Sequence, residues 1–171
     1  MLSKKMEAAL NEQINAELFS AYLYLSMSAW FEAKNLKGFA NWMYIQWQEE
    51  TAHAMKFFKY VSERGGTVTL KAIDKPKGTW KNIIEVYAET LKHEQHVTSL
   101  INNLVNITVA EKDHATGNFL QWFVAEQVEE EATASEILEE LKLIEGKGPA
   151  LLMIDREMRQ RVFTPPVDAN A

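Results

Sequence analysis

The sequence predicts an all-α fold. Four long helices bundle around one core, a long crossover joins the second to the third, and a short fifth helix follows the fourth. Three observations carry that prediction. Apolar residues recur at spacings of three and four through four separate segments, the mark of one buried helical face. Only 7 glycines and 4 prolines occur in 171 residues, which leaves room for long uninterrupted helices. The stretch TVTLKAIDKPKGT between segments two and three holds a proline and a glycine and is too long for a tight turn, so it should cross the molecule. Two antiparallel pairs joined by one long crossover close a four-helix bundle. A single domain is expected over residues 1–171, with the bundle at about 4–146, the short helix at about 149–160 and an irregular tail at 161–171.

The elements follow in order. Residues 4–33 carry Leu10, Ile14, Leu18, Ala21 and Leu25 at helical spacing, and Asn35 to Gly38 interrupts them. A second helix is expected from about 38 to 64, with Phe39, Met43, Phe57 and Tyr60 on its stripe and Gly65-Gly66 as its stop. Thr79 stands where it can cap a third helix over 80–111, whose stripe is Ile83, Tyr87, Val97, Ile101 and Leu104. Asp113 can cap the fourth, which carries Leu120, Phe123, Ala134, Ile137, Leu141 and Ile144 and ends at Gly146 and Gly148. Pro149 sits where a first-turn proline belongs, and PALLMIDREMRQ reads as the fifth helix.

Composition narrows the function. With 18 basic and 24 acidic side chains the net charge is -6, which argues against a nucleic-acid partner and suits a protein that attracts cations. There is no cysteine, so disulfides, thiolate metal sites, iron–sulfur clusters and cysteine nucleophiles are excluded. The first residues have no signal-peptide apolar core, and no apolar run approaches the length of a membrane span. A cytoplasmic location with no membrane partner is the expectation.

The informative feature is polar. The first stripe continues Leu10, Ile14, Glu17, Ala21, Tyr24, which turns Glu17 inward. The second places Glu50 and His53 in its middle, the third runs Tyr87, Thr90, Glu94, Val97, and the fourth puts Gln127 and Glu130 between Phe123 and Ala134. One polar residue on an apolar stripe is ordinary core chemistry. Here all four long helices break polarity with an acid near mid-length, and side by side those positions converge. Four carboxylates at close quarters in a low-dielectric interior repel one another by several kcal/mol. No Lys or Arg lies on these stripes at that level, so two divalent cations would balance the charge. Oxygen and imidazole donors suit iron or manganese. Protonated carboxylates or a buried ion pair are the alternatives.

As a set, NEQINAELFSAYLYL in the first helix, EETAHAMKFF in the second, Glu94 in the third and FVAEQVEEE in the fourth resemble the bacterial non-haem ferritins, and the likeness runs through nearly the whole chain. The resemblance implies a ferritin-like bundle, a ferroxidase that oxidises Fe(II) with dioxygen or peroxide, and storage of ferric oxyhydroxide inside a hollow shell of twenty-four identical subunits with octahedral symmetry. It implies a di-iron centre with Glu17, Glu50 and His53 on one iron and Glu50, Glu94 and Glu130 on the other. Gln127 would hydrogen-bond beside the pair, and Tyr24 matches the family's tyrosine next to the centre. Glu49, Glu126, Glu129 and Glu130 match a third iron site, although Glu129-Glu130-Glu131 by spacing alone is a solvated charge run. Tyr24 and Trp122 are candidates to supply further electrons. The short fifth helix, with Leu151, Leu152 and Ile154, would pack around a fourfold axis, or else dock on its own bundle.

Departures separate relatives. The fourth helix carries Gln127-x-x-Glu130 and not a second Glu-x-x-His, which disfavours the symmetrical centre of bacterioferritins and oxygenases. Thr51 stands where bacterioferritins carry their haem-binding methionine, so no haem is expected, and Met43 and Met55 are read as packing residues. A di-iron enzyme acting on another substrate and a metal-free structural or DNA-protecting bundle are the rival readings.

Overall fold

The computed structural model describes residues 1–166. Its helices are α1 (Lys4–Ala33), α2 (Lys37–Glu63), α3 (Ile83–Glu111), α4 (His114–Leu143) and α5 (Gly148–Met158). α1 packs along α2 and α3 along α4, α1 also meets α3, and α5 lies on α2. The two pairs are antiparallel because their connections are short. Lys34 to Leu36 joins the first pair, with Asn35 in the left-handed region at φ 59°, and Lys112-Asp113 joins the second, with Lys112 at φ 56°. No helix among the described residues is long and apolar enough to cross a membrane.

Capping explains the boundaries. The Ser3 side chain accepts from the Met6 amide at the start of α1, and Asp113 accepts from the Thr116 amide at the start of α4. Gly65 follows α2 with φ 72°, a conformation glycine adopts without strain. The third helix begins later than the sequence reading has it. Asn82, not Thr79, is its cap, accepting from the Glu85 amide at 2.9 Å while Glu85 accepts from the Lys81 amide at 2.6 Å. Trp80 stays outside the helix because its ring buries edge-on against Trp30 at 5.9 Å and its indole N–H donates to Glu89. The tail has no regular structure over 161–166, and the remainder of the expected tail, 167–171, lies outside the described residues.

The crossover runs along α1. Asn11 accepts from the Thr69 amide and donates to the Thr67 carbonyl, Asn15 donates to the Ala72 carbonyl, and Ser26 to the Lys77 carbonyl. From Asn11 to Ser26 the helix rises about 22 Å at 1.5 Å per residue, so these side chains lay the chain along much of the bundle. Two of the predicted packing positions on α2 lie shallower than expected. Phe39, Met43 and Phe57 are buried, Tyr60 is half-buried, and Met55 is an exposed residue and not a packing one.

α5 docks on its own bundle through buried Met158, with Leu151 and Ile154 packed beside it, and through one carboxylate that caps α2. Leu36, at the cap position of α2, offers no side-chain cap. Asp155 of α5 supplies one, accepting from the Gly38 amide at 2.8 Å and the Phe39 amide at 3.2 Å, and its other oxygen accepts from Arg159. The approach is so close that a Cβ on Gly38 would lie 1.5 Å from the Asp155 carbonyl oxygen. A buried anion on exposed amides at a helix N-terminus is favourable by capping and by the helix dipole. Asp155→Ala is therefore expected to lower the unfolding free energy by about 1–3 kcal/mol. A denaturant titration would register this as an earlier midpoint, with helix content unchanged by circular dichroism.

Candidate metal centre

Two apolar clusters fill the bundle, and the polar residues lie between them. One holds Tyr24, Met27, Phe31, Phe39, Met43, Tyr87 and Leu141. The other holds Leu10, Ile14, Phe57, Val97, Ile101, Leu120 and Phe123. On each long helix the inward polar positions fall in the gap: Glu17 after Ile14, Glu50 and His53 before Phe57, Glu94 before Val97, and Gln127 and Glu130 after Phe123. All six are buried, and Glu17, Glu50, His53 and Glu94 are at most 2% exposed.

The donor atoms of Glu17, Glu50 and His53 all lie within 4.8 Å of one another, the only such compact group of metal-ligating side chains among the described residues. His53 Nδ1 is 3.3 Å from Glu50 Oε2. The imidazole is held edge-on to the rings of Trp122 and Phe123, at 5.3 and 6.0 Å. Glu17 Oε1 accepts from Gln13 Nε2 at 2.9 Å, whereas Glu17 Oε2 is buried and receives no donor. Ionised carboxylates only accept, so that oxygen requires either a proton shared with Glu50 or a cation between the two. An orphaned buried oxygen beside a carboxylate and an imidazole is a donor set that fits a divalent metal.

Glu94 and Glu130 border this group without joining it. The Tyr24 hydroxyl donates to Glu94 Oε1, and Gln127 Nε2 donates to Glu94 Oε2 at 3.3 Å and to the Glu94 carbonyl at 3.2 Å. Gln46 Nε2 donates to Glu130 Oε2 at 3.0 Å. Each flanking donor fixes one oxygen and the orientation of its carboxylate.

Proton affinities record the missing positive charge. Burial pushes the Glu17 carboxyl up to about 7, with the charge of Glu94 adding to it. Burial, then repulsion from Glu94, Glu17 and Glu130, holds Glu50 well above the usual carboxylate range. Burial and the Glu94 charge do the same to Glu130, and burial also raises Glu94. Burial lowers His53 to about 4, helped by Lys56, so at neutral pH its ring is uncharged and able to bind metal. Tyr24 stays protonated, its pKa raised by burial and by three neighbouring carboxylates.

The three remaining acids sit further out. Glu49 and Glu126 are half-buried and Glu129 is exposed. Glu126 feels both Glu129 and Glu49, and burial raises its pKa, yet these side chains do not gather into a compact donor group. Glu49 accepts from Arg161 at 2.5 Å. The helix stripes carry no basic residue at this level, and this arginine comes from the segment after α5, which stripe reasoning does not reach. Gln13 lies four residues before Glu17 on the same face, a spacing that marks it in the sequence, whereas Gln46 reaches Glu130 of α4 and only the packing of the helices brings the two together.

A four-helix bundle with a crossover and an inward carboxylate–imidazole group defines a class of metal-binding bundle proteins. The ferritin-like domain family matches residues 7–144, and the chain belongs to the ferritin family. It is 45% identical over 161 residues to a bacterial non-heme ferritin of Bacteroides fragilis, covering 94% of this chain and all of that one. A bacterial non-heme ferritin of Campylobacter jejuni is 40% identical over 93% of this chain and 95% of its own. Among solved structures, an engineered closed form of the Archaeoglobus fulgidus ferritin superposes with TM-score 0.94 at 54% identity, covering 96% of this chain and all of that one. An open-pore ferritin of the same archaeon gives 0.93 at 53% identity, covering 94% and 98%.

The raised carboxyl pKa values set a pH dependence for the metal-free chain. A carboxyl whose folded pKa is raised binds more protons folded than unfolded, so its stabilising contribution is complete below about 4.5 and is lost as pH rises towards 7. His53 acts oppositely, since its lowered pKa makes stability rise with pH between about 4 and 6.5. Removing one carboxyl isolates its share. Glu17→Gln should gain stability relative to the unaltered apoprotein as pH goes from 4.5 to 7, read from paired thermal melts. A difference that stays flat with pH would contradict the raised pKa.

Proposed function

We propose that this chain is an iron-storage subunit with ferroxidase activity, taking up Fe(II), oxidising it with dioxygen or peroxide, and depositing ferric oxyhydroxide inside a shell of many copies. The observation that carries the reading is the buried Glu17–Glu50–His53 group bordered by Glu94 and Glu130, with a carboxylate oxygen that no donor satisfies. Membership of the ferritin family supports it. Iron is the substrate and cargo of this reaction.

In this reading Glu17, Glu50 and His53 hold one Fe(II). Glu50, Glu94 and Glu130 hold the second, and Glu50 bridges. The acids are protonated or proton-sharing without metal, so cation binding releases protons, and affinity rises with pH. Each Fe(II) gives up one electron. Dioxygen accepts two electrons and two protons and leaves as hydrogen peroxide. Gln127 points its amide N–H towards Glu94 and orients it, while the Tyr24 hydroxyl steadies the same carboxylate from the other oxygen. The two apolar clusters above and below keep bulk water from the oxidising pair. Tyr24 and Trp122, the latter in edge contact with His53, would supply two further electrons where the peroxide is reduced on to water with two more protons. Glu49, Glu126 and Glu129 would serve a third iron, and no haem takes part.

Storage requires a container larger than one bundle. Leu152 and Met153 of α5 are exposed and apolar while Asp155 and Met158 face α2, so one side of α5 docks at home and the other is available to neighbouring subunits. Membership of the ferritin family supports a shell of twenty-four copies with octahedral symmetry as the container, and in this reading it lies in the cytoplasm without nucleic-acid or membrane partners.

Aerobic Fe(II) addition to the apoprotein tests the reading. Ferric absorbance should continue to rise beyond the two or three ions that each chain binds, to on the order of hundreds per particle. Particle size measured alongside should correspond to a closed shell. Turnover confined to the centre would instead identify a di-iron enzyme with another substrate. Glu50→Ala and His53→Ala should each slow the initial fast oxidation by about tenfold or more while the particles remain assembled. Full initial rate in either variant would remove those residues from the ligand set.

A further inference from the structure

Arg161 donates to Glu49, one of the candidate third-site acids. It lies three residues beyond the end of α5, and both its main chain and its side chain are fastened. Its carbonyl, like that of Met158, accepts from Asn41 Nδ2, at 3.0 and 3.1 Å. Its guanidinium stacks over the Trp42 ring at 4.6 Å, reaches the Trp42 carbonyl with one nitrogen at 3.4 Å, and donates to Glu49 Oε2 at 2.5 Å with the other. The pair is largely shielded, with side-chain exposures of 26% for Arg161 and 20% for Glu49. The charge also bears on Glu130, the acid that the two-iron centre and the third site would share.

We propose that Arg161 is a built-in counter-cation that occupies Glu49 in the resting chain and so sets how many metal ions the centre binds. This rests on the ferroxidase reading above. A guanidinium and a divalent cation on one carboxylate repel each other, and the guanidinium already neutralises the charge that Glu49 would offer a metal, so a cation binds there more weakly with Arg161 in place. A third cation at Glu49 must therefore bind against the charge of Arg161 or displace it, while the Glu17–Glu50–His53 group, to which Arg161 does not donate, binds without that competition. The fork geometry and the Trp42 stack hold the arginine in place without metal, and its segment stays docked through Asn41 and Asp155 when the side chain swings away.

The test is anaerobic calorimetric titration of the full-length assembled apoprotein with Zn(II), which undergoes no redox step. In the unaltered chain the third binding event should be weak or absent. Arg161→Gln should strengthen it about tenfold or more, with the event at the Glu17–Glu50–His53 group unchanged. The gain should disappear in the double variant Arg161→Gln/Glu49→Gln. Arg161→Lys keeps the charge but cannot fork between Glu49 and the Trp42 carbonyl, and should give an intermediate third affinity. It serves as the second variant if Arg161→Gln does not assemble. A third event unchanged in the folded Arg161 variants, or a gain that survives Glu49→Gln, overturns the proposal. An unaltered chain that binds no zinc overturns the ferroxidase reading itself, a distinct result.

Discussion

The rest of the molecule depends on one electrostatic constraint, the gathering of four carboxylates at one level of a water-poor bundle. Burying an unpaired charge costs several kcal/mol. Placing four together adds repulsion that falls only slowly with distance at low dielectric. Without metal the chain meets this constraint with protons, as the raised pKa values of Glu17, Glu50, Glu94 and Glu130 show. In the proposed function cations would take the place of those protons, and folding energy and cation affinity would then be coupled through one set of atoms.

The architecture makes that layer tolerable. The aromatic and aliphatic clusters on either side supply the burial that holds the four helices in register. Gln13, Gln46, Gln127 and Tyr24 each donate to one carboxylate oxygen, which aims the acids and lowers their mutual cost without cancelling their charge. The α5 segment adds a second kind of support from outside the bundle. Asp155 closes the N-terminus of α2, the helix that carries Glu49, Glu50 and His53, and a few residues later Arg161 reaches Glu49. One short stretch of chain therefore both caps the helix that carries Glu50 and His53 and places a positive charge against Glu49.

Much of this was legible in the sequence because helices impose a period. Leu10, Ile14, Glu17, Ala21 and Tyr24 lie on one face by arithmetic alone, and the structure buries all five. The same arithmetic turned Glu50, His53, Glu94, Gln127 and Glu130 inward. Asp113 and Gly65 marked helix ends through local chemistry that needs no tertiary contact. Thr79 misled because the start of α3 was decided by Trp80, whose ring buries against Trp30 of a distant helix. Met55 misled because one apolar residue carries no information about which side of its helix it occupies.

What the sequence by itself determined was periodic or local: the four helices, the long crossover, and which acids face inward. What only the tertiary structure decided was distance between segments remote in the chain. It selected Glu17, Glu50 and His53 as the compact donor group and left Glu94 and Glu130 bordering it. It made Asp155 a cap for a helix more than a hundred residues away, and brought Arg161 onto Glu49. The physical reason is that helical period fixes direction around an axis, while the rotation, spacing and docking of helices follow from side-chain packing summed over the whole core.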